Sequence, residues 1–350
     1  MCNIAGYIGK KQAAPILCEM MKKQEYFWGG YYTGITVHDG NKLQTAKVVG
    51  NMENLLNETD AVHLKGNIGF LHSRSKGGGD VEWGHPFTNR DGSLSYIANG
   101  GFKGFESEDL FQKRGALATE LENKGYLFRS KVAENMKGYP NLENGGTVHC
   151  SDLQCQHIAS LIDEGLSPAE AMAKSNSLYP SAIVGLCMHE SEPEKVFVTR
   201  LTCPMNVGIT DDGDTYFATT VFAFPDDVCF KTIQLLPAAT VYELFQGGYK
   251  ATDCPVEVHN ILPLTPALWH NAYVEVEKML KGRKDNPAGI QEVWDTCYTF
   301  KKEGFVLQTD CMTYGVLEAL QQNGKLNIVS VPDTGAFEGY NTTRYCFYVE

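Results

Sequence analysis

Residues 2–9 of the chain, CNIAGYIG, alternate small and apolar residues. This alternation predicts a β-strand that is buried in a sheet from its first residue. The strand begins with a cysteine directly after Met1, whose removal would leave Cys2 with a free α-amino group. An α-amino pKa of about 7.7–8.0 suits a general base at neutral pH, and the adjacent thiol could attack a carbonyl carbon. The segment therefore predicts an N-terminal nucleophile at Cys2.

The rest of the chain predicts many short strands and a few helices, an α+β pattern in which helices cover sheets. One helix starts at Ser167, an N-cap residue with Glu170 three positions on, which is the capping-box spacing. The pattern changes near residue 236, after which three amphipathic helices and two strands follow. We expect a large domain at 1–236 and a smaller α+β domain at 237–350. The order of elements in the second is that of a winged helix or of a cap packed on the first domain.

The composition limits the possible partners and compartments. A net charge of −12 gives no electrostatic reason to expect nucleic acid or an anionic membrane as the main partner. No apolar run reaches the roughly 18 residues of a membrane span, and no signal peptide is evident. Eleven cysteines without CxxC pairs favour a reducing, cytoplasmic location. We expect no cofactor, and a zinc site at Cys150 and Cys155 is disfavoured because no second ligand pair has the required spacing.

Two further segments could assist a cysteine nucleophile. Asn99 and Gly100 follow the predicted strand at 93–98, and an Asn amide with the next backbone N–H can converge on an oxyanion. Arg74 ends the predicted strand at 69–74, where a guanidinium could hold a carboxylate through two hydrogen bonds. Each segment also has an ordinary interpretation, as an Asn-Gly turn and as a solvated arginine at a strand end.

Several segments, taken together and in order, resemble the class II glutamine amidotransferases. MCNIAGYIG resembles their opening MCGIxGYIG, and GFLHSRS falls where they have HTRWATHG. HPF…YIANGG resembles HPH…VHNG, and MNVGITDDGDTYFATT falls where they have IGLGxGENFIASD. The resemblance covers about residues 2–222 and is nearest to the glutaminase domain of the glucosamine–fructose-6-phosphate aminotransferases.

This resemblance implies a four-layer αββα sandwich, the N-terminal nucleophile hydrolase fold. It places Cys2 at the nucleophile and Arg74 at the residue that binds the glutamine carboxylate. Asn99 and Gly100 fall at the oxyanion hole, and His85 falls near the substrate pocket. The implied reaction is attack of the thiolate on the side-chain amide of glutamine, release of ammonia, and hydrolysis of a γ-glutamyl thioester.

The chain departs from the family where the substrate ammonium is bound. The family has an Asp at the position of Gln154, and the nearest acid here is Asp152, two residues earlier. An insertion at 129–148 directly precedes this segment. We therefore take both Asp152 and Gln154 as candidate substrate-binding residues. A neutral Gln supplies no counter-charge, so the substrate is predicted to be glutamine or a related amide.

Three functions are compatible with these observations. Residues 237–350 are too few to hold a double sugar-isomerase domain, so a glutaminase subunit could pass ammonia to a separate synthase subunit. A related N-terminal nucleophile amidohydrolase could act on a different amide. A degenerate domain could instead bind an amino acid and signal through the C-terminal region.

Overall fold

The computed structural model describes residues 2–75, 77, 79–337 and 340–350, with backbone alone at 334–337 and 340–342. The helices are α1 (Ala13–Trp28), α2 (Met52–Glu58), α3 (Glu108–Asn123), α4 (Cys150–Asp163), α5 (Pro168–Leu178), α6 (Pro266–Leu280), α7 (Ile290–Tyr298) and α8 (Thr309–Gln322). The strands up to residue 101 are β1 (Asn3–Ile8), β2 (Tyr32–His38), β3 (Leu43–Val49), β4 (Ile68–Arg74), β5 (Phe87–Thr88) and β6 (Leu94–Gly101). The later strands are β7 (Ala182–His189), β8 (Val196–Arg200), β9 (Asn206–Thr210), β10 (Thr215–Ala218), β11 (Phe230–Leu235), β12 (Thr240–Phe245), β13 (Gly248–Pro255), β14 (Ala288–Gly289), β15 (Leu326–Phe337) and β16 (Tyr340–Val349).

Two antiparallel sheets form the centre of the molecule. The first has the strand order β11-β9-β10-β1-β4-β2-β3, and the second has the order β13-β12-β8-β7-β6-β5. The predicted N-terminal strand, β1, lies inside the first sheet between β10 and β4. Close packing at β1 requires a glycine, because a Cβ on Gly6 would lie 1.8 Å from the ring of Phe217. Since β1 has a partner on each side, the position of Cys2 is determined by the sheet.

Alternating side chains of each strand separate the core into layers. Ile4, Phe70 and Ile97 belong to a cluster that fills the space between the two sheets. A second cluster, with Leu17 of α1, covers the outer face of the first sheet, and a third, with Ile158 of α4, covers the outer face of the second. Helix, sheet, sheet and helix therefore follow one another, which confirms the predicted four-layer αββα sandwich.

The C-terminal region contains α6, α7 and α8 together with a three-stranded sheet of order β14-β16-β15. The elements follow the chain as helix, short strand, helix, helix and two long strands. Its core is continuous with α1 through Phe27, whose ring stacks against Phe347 at 5.8 Å. The boundary at 236/237 and the winged-helix interpretation stay predictions. The strands β12 and β13, which follow residue 236, lie in the second sheet of the sandwich.

No helix in the ranges given above is both long and apolar enough to cross a membrane.

Candidate active site

Cys2 lies at the start of β1, where the register with β4 decides its neighbours. Asn3 pairs with Ser73 and Ile4 pairs with His72, so Cys2 comes next to the end of β4. Its Sγ lies 3.8 Å from the Ser75 hydroxyl oxygen, and the residue is 8% exposed. Side chains two apart in a strand share a face, so Cys2 projects like Ile4, into the space between the sheets.

His72 is the side chain that activates this cysteine. Burial by itself raises the pKa of the Cys2 thiol, but a hydrogen bond and positive charge from His72, with smaller contributions from the amino terminus and Arg74, bring that pKa to about 6. The Nε2 atom of His72 lies 3.0 Å from the carbonyl oxygen of Ala98, which can only accept, so Nε2 carries a proton. The other ring nitrogen, Nδ1, is buried and has no other hydrogen-bond partner among the described residues.

Asn99 and Gly100 end β6 in the opposite sheet. The Asn99 side chain donates from Nδ2 to the Thr219 hydroxyl oxygen over 2.9 Å, and that same oxygen accepts the backbone N–H of Ile4 over 2.8 Å. Gly100 has φ = 113°, and a Cβ there would lie 2.0 Å from the carbonyl oxygen of Ala182. Gly100, which is paired within β6 and not in a turn, therefore has to be glycine, and Thr219 joins Asn99 to β1.

Arg74 lies in the site with its donors engaged. It is 6% exposed and donates from Nη1 to the Trp83 carbonyl over 2.8 Å and from Nη2 to the Tyr139 hydroxyl over 3.2 Å. The guanidinium also lies 5.2 Å from the centre of the Tyr32 ring. Tyr139 belongs to the insertion at 129–148. A substrate carboxylate that binds Arg74 through Nη2 would compete with the Tyr139 hydroxyl.

His85 is packed beside His72 in a buried group of rings. The two imidazole centres are 4.0 Å apart, and His149 meets His85 edge-on at 5.5 Å. Burial lowers the pKa of His85 well below its usual value, helped by the positive charge of His72, so the ring is neutral. Both of its ring nitrogens are buried without a hydrogen-bond partner among the described residues. Such a pair of unsatisfied atoms is expected where a ligand binds.

Asp152 and Gln154 lie on α4 and have protein partners. One carboxylate oxygen of Asp152 accepts from the backbone and hydroxyl of Ser130, and the other accepts from Gln156 over 3.0 Å. Burial raises the pKa of Asp152. Gln154 donates from Nε2 to the Ser175 hydroxyl over 2.7 Å. Within the described part of the chain, neither side chain is hydrogen-bonded to Cys2, Arg74 or His85, and their role in substrate binding stays a prediction.

Helix α8 supports the site from behind. It forms hydrogen bonds with three residues that lie next to, or pack on, residues of the site. The pairs are Tyr314–Asn3 (3.1 Å), Asp310–Cys203 (2.9 Å) and Glu318–Thr220 (2.7 Å). Asn3 follows Cys2, and Thr220 follows the Thr219 that binds Asn99. A Cβ on Gly100 would lie 2.9 Å from the Cys203 sulfur. The C-terminal region is therefore in direct contact with residues that lie next to Cys2, Thr219 and Gly100.

His72, Thr219 and Tyr139 were not predicted as site residues from the sequence. His72 carried a usable signal, since a histidine two positions before Arg74 in an otherwise apolar strand shares its face. Thr219 and Tyr139 carried none, because their importance depends on pairing across more than 60 residues of chain. In the described part of the chain, no group of three His, Cys, Asp or Glu residues could hold a metal ion. All eleven cysteines are free thiols.

Known proteins resemble this chain in sequence. The chain is 31% identical over 217 residues to a glutamine–fructose-6-phosphate aminotransferase (isomerizing) of Clostridium acetobutylicum, which covers 61% of the chain and 31% of the relative. It is 31% identical over 224 residues to the enzyme of the same name from Chlorobaculum tepidum, covering 62% and 32%. Over these residues the chain is homologous to enzymes named glutamine–fructose-6-phosphate aminotransferase. The predicted resemblance is confirmed, and the chain spans about a third of the length of these relatives.

Solved structures agree on the fold. The glutamine phosphoribosylpyrophosphate amidotransferase from B. subtilis superimposes with a TM-score of 0.59 at 18% identity, over 80% of this chain and 58% of that one. A structure described as the allosteric regulatory enzyme of purine biosynthesis gives a TM-score of 0.60 at 16% identity, over 97% and 67%. At these identities the likeness concerns the fold alone. No family model matches the chain.

Proposed function

We propose that this protein hydrolyses the side-chain amide of glutamine, with Cys2 as the nucleophile, and releases ammonia for a separate synthase subunit. The observation that carries the proposal is the thiol of Cys2, buried at the start of a central strand with its pKa lowered to about 6 beside His72. At neutral pH this group is mostly thiolate, the reactive form of cysteine. The homologous relatives are named as enzymes that take nitrogen from glutamine.

The proposed reaction has two steps. First, the Cys2 sulfur attacks the amide carbon and the carbonyl oxygen becomes an oxyanion beside Asn99 and Gly100. The C–N bond then breaks, the nitrogen takes a proton from the α-ammonium group of Cys2, and ammonia leaves a γ-glutamyl thioester. Second, water attacks the thioester, gives its proton back to the amine, and glutamate leaves as the C–S bond breaks. This assignment requires removal of Met1, which lies outside the described residues.

Arg74 is proposed to hold the substrate carboxylate once Tyr139 releases it. A planar guanidinium binds a carboxylate through two parallel hydrogen bonds, which also orients the substrate. The unsatisfied ring nitrogens of His85 offer a further polar contact in the same buried region. An acceptor for the ammonia is proposed because the relatives are named for the transfer of an amino group from glutamine to fructose 6-phosphate.

A glutaminase assay with two cysteine variants tests the proposal. Cys2→Ala should lower ammonia release from glutamine by about four orders of magnitude, because the nucleophile is removed. Cys229→Ser is the matched control, since Cys229 is an exposed free thiol elsewhere on the surface, and it should keep full activity. A diazoketone analogue of glutamine should label Cys2 and not Cys229. Equal activity of Cys2→Ala and the wild type would refute the proposal.

A further inference from the structure

We propose, building on the glutaminase function above, that the site recognises the carboxylate of its substrate and not the α-ammonium group. It would then hydrolyse the terminal amides of dicarboxylic acids whether or not they carry an α-amino group. This specificity follows from the groups that contact Arg74, because no acid is found among its described contacts.

The position of the ammonium group follows from the chemistry of glutamine. Its ammonium and its carboxylate are bonded to the same carbon, so a carboxylate held by Arg74 places the ammonium within a few ångströms of that guanidinium. The described contacts of Arg74 are the Trp83 carbonyl, the Tyr139 hydroxyl and the face of Tyr32. All three groups are uncharged, so none of them provides a counter-charge for an ammonium group.

Among the described residues, the acids nearest to this region along the chain include Asp152, Glu82 and Asp80, and each of these has another partner. Both carboxylate oxygens of Asp152 accept hydrogen bonds, one from Ser130 and the other from Gln156. Glu82 forms an ion pair with Lys47 over 2.7 Å. Asp80 is exposed and accepts the backbone N–H of Glu82 over 2.9 Å. An ammonium group entering the site would have to break one of these arrangements to find an acid.

The charged neighbours of the site are mainly cations. Burial is the largest cause of the lowered pKa values of His85 and His149, and the positive charges of His72 and Arg74 lower them further, with a smaller contribution from Lys47, which is paired with Glu82. The same positive surroundings favour an anion and oppose a cation, and they do so strongly because the side chains are buried. A substrate that carries a carboxylate without an ammonium group fits this field better than glutamine does.

Gln154 is the position at which this preference could be changed. It lines a small cavity together with Ala98 and Gly100, so it lies close to the proposed oxyanion site near the end of β6. Its amide is held by Ser175 and supplies no charge. An aspartate at this position would place an acid in the otherwise positive region.

The test compares glutamine with glutaramate, in which hydrogen replaces the α-ammonium group. For the wild-type chain we expect kcat/KM for glutaramate to equal or exceed that for glutamine. Gln154→Asp should shift the ratio towards glutamine by about tenfold, equivalent to about 1.4 kcal/mol. Asp163→Asn is the matched variant on the same helix, and it should leave the ratio unchanged because Asp163 lies at the far end of α4, where it accepts from the Tyr126 hydroxyl over 2.7 Å.

The outcomes separate this inference from the function on which it rests. Preference of the wild type for glutamine by tenfold or more would overturn the inference and leave the glutaminase function standing. A selective loss of glutamine turnover in Asp152→Asn would also overturn it, because Asp152 would then be the ammonium ligand. Failure of the wild type to release ammonia from either amide would refute the glutaminase function itself. The wild-type ratio decides the question even if Gln154→Asp does not fold.

Discussion

At the scale of single residues, the reactivity of Cys2 depends on a balance between burial and nearby positive charge. Burial raises the pKa of the thiol, and His72 with Arg74 lowers it further than burial raises it, to about 6. The position of Cys2 could be predicted from the sequence because the opening segment and its resemblance both point to it. The role of His72 could not, since it depends on the exact register between β1 and β4.

His72→Ala should raise the pKa of the Cys2 thiol to its ordinary value or above, because burial would then be opposed only by the smaller effects of the amino terminus and Arg74. In the wild type, the rate of alkylation by iodoacetamide should rise with pH through about 6 and then level off. In the variant, the rise should move to above pH 8. Mass spectrometry of the peptide that contains Cys2 measures this rate directly. An unchanged pH profile would show that His72 does not activate the thiol.

At the scale of elements, the site is built where two sheets face each other, and strand pairing brings its parts together. The resemblance and the alternation of β1 predict the sandwich correctly, and Ser167 caps α5 as expected, accepting the backbone N–H of Glu170. From the sequence, the insertion at 129–148 was described only as a segment that directly precedes Asp152 and Gln154. Its contact with Arg74 through Tyr139 is long-range, so no local sequence pattern could reveal it.

Tyr139→Phe should make Arg74 more available to a substrate carboxylate. The variant removes the hydroxyl that accepts from Nη2 and keeps the ring that packs against Trp83 at 5.0 Å. We expect KM for the amide substrate to fall about three- to tenfold with kcat nearly unchanged, since one hydrogen bond to a charged group no longer has to be broken. Steady-state kinetics measure both constants. A higher KM would mean that the Tyr139 hydroxyl helps to bind the substrate.

At the scale of the whole molecule, the C-terminal region is joined to the site through α8. The sequence predicts this helix and its amphipathic character, but not its partners in the sandwich. Its hydrogen bonds reach Asn3, Cys203 and Thr220, which lie 311, 107 and 98 residues from their partners in α8. Such contacts depend on how two regions dock, and they are not encoded in any local pattern.

Tyr314→Phe tests whether this docking matters for catalysis. The variant removes the hydroxyl that donates to the Asn3 side chain and leaves a buried acceptor without a partner, at a cost of about 1–3 kcal/mol of stability. If the contact also positions Cys2, kcat for glutamine should fall several-fold while KM stays constant. Urea unfolding and steady-state kinetics give the two effects separately. A loss of stability with full kcat would mean that the contact is structural only.

Glu318 predicts a pH dependence of the stability of this docked arrangement. Burial raises the pKa of its carboxyl group to about 7, while the Thr220 hydroxyl and the Val221 backbone donate to it. The unfolded chain ionises first as the pH rises, so the contribution of this group to stability is complete below about pH 4.5 and is lost by about pH 7. Glu318→Gln should therefore become more stable relative to the wild type, by up to about 3 kcal/mol, between pH 5 and pH 8.

Urea unfolding at the two pH values measures this difference. Glu303→Gln serves as the control, because Glu303 is exposed. The difference in unfolding free energy between this variant and the wild type should be the same at both pH values. The same difference in both variants would show that the burial of Glu318 is not responsible.

The central claim is that Cys2 attacks the amide of glutamine as an N-terminal nucleophile. Acid quenching of the enzyme during turnover, followed by mass spectrometry of its N-terminal peptide, tests it most directly. We predict a peptide that begins at Cys2, without Met1, and that carries a glutamyl group on the thiol, with no such adduct in Cys2→Ala. Ammonia release by a chain that retains Met1, with no adduct on Cys2, would contradict the claim.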